Sequence, residues 1–264
     1  MEKAPDLTIY SMIFCFLLLV IPFVILLYFR LSIIKSMFIS VIRMTIQLFL
    51  AGLYLEYLFK WDNSIINLAW LFVMLFAASF SSIKNSELDL KRFILPAFSA
   101  FSIATLGMVL YFNYLIIRLE NVLEAKYLVV IGGMLLGNSL RGNIIGLSSF
   151  YLNIKRNQTR FQYHLALGAS QFEALLPYLK TALVSAVNPT IATMMTIGIV
   201  SLPGMMTGQM LGGSNPLVAI KYQIAIMIAI FVSVMVSVVL VILFSLKTVF
   251  NGFGILKQTI FSKQ

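Results

Sequence analysis

Residues 217–246 read LVAIKYQIAIMIAIFVSVMVSVVLVILFSL, and Lys221 is the one charged residue among them. A helix needs about 20 mostly apolar residues to cross a bilayer, so this stretch predicts a membrane-spanning helix. The whole chain agrees, since 61% of its 264 residues are hydrophobic and 11% are charged. Soluble proteins average about 45–50% apolar and about 25% charged residues. We therefore expect an all-α, polytopic membrane protein, with residues 1–264 forming one transmembrane domain.

Six further segments are apolar and long enough to span, which gives about seven transmembrane helices. The six are Ile9–Phe29, Val41–Phe59, Ser64–Ile83, Phe93–Ile117, Tyr127–Tyr151 and Ala182–Met210. The first lacks a basic start and a small-residue cleavage site, so it is interpreted as a span and not as a signal peptide. With the N-terminus outside, twelve Lys and Arg fall in inner loops and five in outer ones. The positive-inside rule then predicts a cytoplasmic C-terminus and a multi-pass protein of the inner (plasma) membrane.

The sequence carries no constellation typical of an enzyme. It has no GxxxxGK[ST] phosphate loop, no HExxH and no nucleophile elbow, and its acidic residues lie in loops or near span ends. One cysteine, Cys15, excludes an intrachain disulfide, and with the single His164 it argues against a His/Cys metal cage. The net charge of +10 fits basic inner loops better than nucleic-acid binding. Membrane lipid is the expected surrounding.

Two arginines lie within predicted spans. Arg43 shares a helix face with Gln47, and Arg141 lies between Asn138 and Asn143. Arg43 either snorkels to the headgroups or lines a path, and Arg141 either bonds to helix carbonyls and Asn neighbours or lines the same path. As cationic lining they would attract an anionic substrate. Candidate pathway residues are Arg43, Gln47, Glu56, Asn138, Arg141 and Gln209.

The stretch GIVSLPGMMTGQMLGG, residues 198–213, interrupts the sixth predicted span with glycine and proline. Proline removes a backbone donor, so a kink is expected at Pro203 and Gly204, as well as near Pro189. Glycines four residues apart let helix backbones approach closely. Hinge and packing residues are therefore predicted at Pro203, Gly204, Gly208 and Gly212, and small-residue packing also at Gly133–Gly137 and Gly142–Gly146. A soft-metal site of Met205, Met206 and Met210, or an oxygen ligand at Glu56, is a weak alternative to apolar packing.

The longest inner loop, 152–181, predicts one or two short helices with a break at Pro177.

Four segments resemble one family: RMTIQLFLAGLYLEYLF (43–59), GGMLLGNSL (132–140), LALGAS (165–170) and GIVSLPGMMTGQMLGGSNPLVAIKYQIAIM (198–227). Together they are similar to the FetB-type permeases of ABC transporters, a family linked to bacterial iron export and metal or oxidative stress resistance. Its plant relatives are linked to aluminium tolerance and UDP-glucose transport. Gln162 stands where the family usually has Glu, and Arg141 where it usually has no arginine.

The resemblance implies a permease subunit that is no enzyme itself and that exports iron or an iron complex. A separate FetA-like ATPase would bind ATP and Mg and supply the energy, this chain would hold no cofactor, and two copies would form the pathway. The loop would dock into the ATPase through Phe161, Gln162, His164, Leu165, Leu167, Gly168, Phe172 and Glu173. Export of a nucleotide sugar or another phosphorylated solute stays open, as does a membrane assembly or sensor protein without transport.

Overall fold

The computed structural model describes residues 8–251 and 254–261 and is all-helical apart from turns and isolated bridges. Six long apolar segments could each cross a membrane by length and composition. The helices of the described part are α1 (Ile9–Leu17), α2 (Val20–Tyr28), α3 (Ile34–Trp61), α4 (Ser64–Asn85), α5 (Leu90–Tyr111), α6 (Ala125–Arg156), α7 (Gln158–Ala166), α8 (Gln171–Thr196), α9 (Gly204–Leu211) and α10 (Pro216–Val249). The predicted helical membrane bundle is confirmed.

The bundle core is built around α6 and α10, with α4, α5 and α8 packed against them. A ladder of buried hydroxyl and amide groups joins α6 to α10: Ser139 to Ser233 at 3.0 Å, Asn143 to Ser237 at 2.8 Å, and Tyr151 to Ser245 at 2.6 Å. In each pair the α10 residue lies 94 positions after the α6 residue. Because this separation is the same along the whole ladder, the two helices run parallel. Such interhelical hydrogen bonds and close packing hold helices together where lipid supplies no hydrophobic drive.

Helices α1 to α3 lie at the side of the bundle and bury almost nothing. They contact the core near the end of α3, where Leu58 is buried with Ala125 and Val129, and where the rings of Tyr54 and Trp70 lie 4.2 Å apart. The predicted first span corresponds to α1 and α2, which a short turn separates.

After α10, the described residues 254–261 pack across one end of the bundle, which we call the α7 end. The amide of Asp89 donates to the carbonyl of Ile260 at 2.7 Å, Lys155 lies 4.3 Å from the ring centroid of Phe261, and Phe250 packs on Phe161. The predicted break at Pro177 is wrong, because α8 continues through it. Proline there removes one helical hydrogen bond, and its neighbours Ala174, Leu175 and Tyr178 remain buried in the core.

Candidate functional site

The predicted sixth span, Ala182–Met210, is broken and is not one helix. Helix α8 ends at Thr196, and α9 begins at Gly204 after the N-cap Pro203. Between them Ile197 is extended, and Gly198 has a φ of +87°, which glycine adopts without strain. The amide of Gly198 donates to the carbonyl of Ser201 at 2.9 Å. The expected kink is therefore a seven-residue interruption.

The break lies where α8 meets the start of α10, and its residues Ile199, Val200 and Leu202 are exposed. Ala186 of α8 packs beside Gly142 and Gly146 of α6, whereas Tyr178 reaches back to the carbonyl of Asn157 at 3.5 Å. Helix α8 thus runs antiparallel to α6 and α10, and the interruption falls level with the first turns of α10. Gln223, which borders it, lies roughly 10 Å along α10 from Pro216. Where irregular backbone lies within the hydrocarbon region of a membrane, protein or a water-filled cavity must surround it.

A cavity of about 420 Å³ opens beside this break. Helix α6 contributes Asn138 and Arg141, α8 contributes Thr190 and Thr193, the interruption contributes Ser201, and α10 contributes Gln223. Arg141 makes no hydrogen bond or ion pair with any residue that the structure describes. No carboxylate lines the cavity. Its electrostatics therefore favour an anion.

The helix carbonyls and Asn neighbours proposed as partners of Arg141 make no hydrogen bond with its guanidinium in the described residues. Its neighbours are already engaged, since the Asn138 amide donates to the carbonyl of Met134 and the Asn143 amide to Ser139 and Ser237. The guanidinium is left facing the cavity, with its planar set of donors free.

A second, apolar groove of about 500 Å³ lies on the other side of the interruption. Gln223 and Met227 border both spaces, so residues 197–203 and this part of α10 form the partition between them. Met205 lines the polar cavity, whereas Met206 lines the apolar groove. The three predicted methionines do not all line one space. Within the described residues, no group of three or more His, Cys, Asp or Glu could hold a metal ion.

On α6, Gly133, Gly142 and Gly146 pack closely on neighbouring helices, but the predicted packing at Gly137 and at α9 is not seen. A Cβ atom on Gly142 would lie 2.5 Å from Val234 Cγ1, and one on Gly146 would lie 2.8 Å from Val238 Cγ1. A Cβ on Gly204 or Gly208 would meet no atom within 4 Å. Within one chain, the predicted close approach at α9 is therefore not seen, and a Cβ on Gly212 would meet only the α9 backbone.

The remaining pathway candidates lie away from the cavity. Arg43, Gln47 and Glu56 are exposed on α3, and Gln209 on α9 is half-buried but does not line the cavity. The structure thus brings together Asn138, Arg141, Pro203 and Gly204 of the predicted set. Sequence reasoning missed Thr193, Ser201 and Gln223. Gln223 carried a usable signal, because an amide within so apolar a span is costly unless it serves packing or function.

At the α7 end, the predicted docking residues divide into exposed and buried. Leu167 is 67% exposed and Phe172 is 53% exposed. Tyr163, which was not among the predicted docking residues, is 62% exposed. Phe161 is fully buried against Phe250 and Tyr178, so its predicted role as a surface contact is wrong. The folded-back C-terminal segment covers it. Leu165 is partly covered in the same way, whereas Gln162 is exposed and His164 half-buried.

The turn from α7 to α8 depends on two local features. Gly168 has a φ of +90°, and its amide and that of Ala169 donate to the carbonyls of Leu165 and His164, which closes the last turn of α7. Ser170 and Glu173 then form a capping box at the start of α8. Hydrogen bonds from the Ser170 hydroxyl and amide hold the pKa of Glu173 below its ordinary value.

Comparison with known proteins gives a consistent result. The family described as "Uncharacterised protein family (UPF0014)" matches residues 9–250. The chain is 29% identical to UPF0014 membrane protein YjkA of Bacillus subtilis (strain 168), over 75% of this chain and 78% of that protein. It is 30% identical to the protein of Escherichia coli (strain K12) named "Probable iron export permease protein FetB", over 75% of this chain and 74% of that protein.

A plant protein, Protein ALUMINUM SENSITIVE 3 of Arabidopsis thaliana, is 32% identical over 75% of this chain and 71% of its own length. No solved structure matches the chain with significance. The two bacterial relatives carry the names of a membrane protein and of a permease, which favours a transporter over an enzyme. The family match spans the broken helix and the cavity beside it, and the chain belongs to the UPF0014 family of membrane proteins.

Proposed function

We propose that this chain is the membrane-spanning subunit of an ATP-driven exporter of iron or an iron complex. The observation that carries the proposal is the polar cavity at the α8–α9 break, into which the unpaired Arg141 opens. Discontinuous membrane helices frame the substrate sites of many transporters, because their freed backbone groups and half-helix ends face the substrate. The similarity to a relative named as an iron export permease supports iron as the cargo.

The chemistry of the cavity favours an iron chelate over a bare ion. Hard cations require several oxygen ligands, mainly carboxylates, and this cavity offers one guanidinium with amides and hydroxyls. An anionic complex such as iron citrate places carboxylates where Arg141 can donate to them, and the Asn138 amide has a second N–H beyond the one given to Met134. Arginine is suited to that task because its planar fork binds carboxylates in a bidentate manner.

A second copy of the chain completes the pathway in this proposal. Helix α3 is exposed along almost its whole length, and its Arg43 lies roughly 14 Å from the start of the helix. Charged residues within membrane helices usually face a bundle interior or a wet cavity. Packing α3 of each copy against the other would cover Arg43 and Gln47 and give α1 to α3 the contacts they lack within one chain.

The ATPase docks at α7 in this proposal. Tyr163, Leu167 and Phe172 form an exposed apolar surface on α7 and the start of α8, of the kind that a groove on a partner accepts. Helix α8 leads directly from this surface to the break. Movement at the ATPase is therefore transmitted along α8 to the partition between the two spaces.

Export of a phosphorylated solute is the second candidate. Its supporting observation is the same arginine, since a guanidinium binds phosphate as well as carboxylate. The two proposals, export of an iron chelate and export of a phosphorylated solute, are distinguished by ATP-dependent uptake into inverted vesicles that contain the chain and its ATPase. The cargoes to be compared are iron citrate, free ferrous iron and a nucleotide sugar. We expect iron citrate to accumulate, and Arg141→Ala to lower that uptake at least tenfold while Arg141→Lys retains part of it. Uptake of free iron alone, or of the nucleotide sugar alone, would contradict the chelate proposal.

A further inference from the structure

A separate polar pocket lies between α7 and α8, at the α7 end of the bundle. Its volume is about 210 Å³, and its lining includes six polar side chains, Asn153, Asn157, Arg160, His164, Tyr178 and Thr181. We call it the α7–α8 pocket. Arg160 and His164 are four residues apart on α7, so they project from the same face. The pocket is remote from the cavity at the helix break, with which it shares no lining residue.

The charge of the pocket is uncompensated. Arg92 and Asp89 form the one ion pair among the residues that the structure describes, so Arg160 has no acidic partner there. The only carboxylate between residues 152 and 181 is Glu173, and its oxygen accepts hydrogen bonds from Ser170 at the start of α8. Lys155, Arg156 and Lys180, the neighbouring charged residues in the sequence, are also basic, although none of them lines the pocket. A ligand of this pocket is therefore an anion.

The pocket lies at one end of the candidate membrane span Ala125–Arg156, where lipid headgroups are expected. It lies where α6 leaves the bundle and α8 enters it, beside the apolar lengths of both helices. The exposed Pro177 and Thr181 at its rim continue along α8 to the exposed Val184, at spacings of four and three residues that keep one helix face. Pro177 and Val184 on this face offer apolar contact to an acyl chain beside the basic pocket.

We infer that the α7–α8 pocket binds the phosphate of an anionic phospholipid headgroup. Basic pockets between membrane helices are suited to this role, and arginine binds phosphate oxygens through two parallel N–H donors. Arg160 supplies that fork, and Asn153, Asn157 and Thr181 offer further polar groups around it. A lipid bound in the pocket would fix the position of α7 relative to α8, and α7 carries the proposed ATPase surface. This effect on the ATPase rests on the proposed function, whereas lipid binding to the pocket does not.

The test measures lipid binding to the purified full chain in neutral detergent by native mass spectrometry. Short-chain phosphatidylglycerol, short-chain phosphatidylcholine and inorganic phosphate are the probes. We expect retention of one phosphatidylglycerol per chain, and at least tenfold weaker binding in Arg160→Ala. Arg156→Ala is the matched control, because it removes the same charge from an exposed site outside the pocket. Thr181→Trp fills the rim without changing charge and is expected to weaken binding as strongly.

Equal losses in Arg156→Ala and Arg160→Ala would overturn the proposal, since they would show a diffuse charge effect. Equal retention of phosphatidylcholine, or binding of inorganic phosphate as tight as that of the lipid, would also overturn it. Absence of lipid binding, together with loss of ATPase co-purification in Arg160→Ala, would assign the pocket to an acidic group of the ATPase instead. An unchanged melting temperature of Arg160→Ala establishes that the variant is folded, and the binding result stands whatever the cargo proves to be.

Discussion

Replacing Gly142 by alanine should destabilise the bundle, whereas the same change at Gly137 should not. Both glycines lie within α6, so the gain in helix propensity of about 0.8–1.0 kcal/mol is common to both and cancels in the comparison. At Gly142 the new Cβ would lie 2.5 Å from Val234 Cγ1, whereas carbon atoms pack at about 3.5–4.0 Å. At Gly137 it would meet no atom within 4 Å.

Val234, which the new Cβ at Gly142 would clash with, cannot easily move away. Val234 is fully buried, and its branched side chain is restricted to few rotamers. Overpacking a tight core in this way costs about 1–3 kcal/mol, so Gly142→Ala should be less stable than Gly137→Ala by that amount. Adding Val234→Ala removes the clashing methyl groups, and the double variant should lose less than the sum of the single losses. Reversible unfolding in mixed micelles measures these free energies. Equal stability of the two alanine variants would refute the reasoning.

Three further predictions concern the α7 end. Gly168→Ala should cost about 1–2 kcal/mol of unfolding free energy, because its φ of +90° strains a side chain, whereas Gly107→Ala, within α5 and in open space, should cost nothing. Phe161→Ala should lose about 3–5 kcal/mol of stability, whereas Leu167→Ser should keep its melting temperature and lose ATPase co-purification; normal co-purification would count against the docking surface. The folded pKa of Glu173 is depressed, so the stabilisation from its carboxylate is fully present above the ordinary value of 4.5 and is lost as pH falls through the folded value. Below pH 4.5 the melting temperature of Glu173→Gln should therefore decrease less with falling pH than that of the unmodified chain.

Hydropathy predicted the continuous spans well because bilayer thickness sets their length. The predicted Leu217–Leu246 lies within α10, and Tyr127–Tyr151 lies within α6. The break in the sixth span was harder to predict. A hydropathy window averages over Ile199, Val200 and Leu202 and records the segment as apolar, although the backbone leaves the helix at Ile197. Proline and glycine marked the site, but they did not distinguish a kink from an interruption.

The site itself could be predicted only in part. A charge within a span pointed to Arg141, and the nearby Asn138 followed from its spacing. Thr193 and Gln223 come from α8 and α10, and only the antiparallel and parallel packing of these helices on α6 brings them to the same cavity. Phe161 was misjudged because the residues that bury it include Phe250, which lies 89 positions further along the chain.

Cargo protection of a cysteine in the cavity tests the central claim most directly. Cys15 is the only cysteine, so Cys15→Ser gives a cysteine-free chain into which Thr193→Cys places a single thiol at the helix break. The matched control is Thr45→Cys, which lies in the apolar groove between α2 and α3. We expect iron citrate to slow maleimide labelling of Thr193→Cys in vesicles that hold the chain and its ATPase, and to leave Thr45→Cys unaffected. Labelling of Thr193→Cys at the same rate with and without iron citrate would contradict the account.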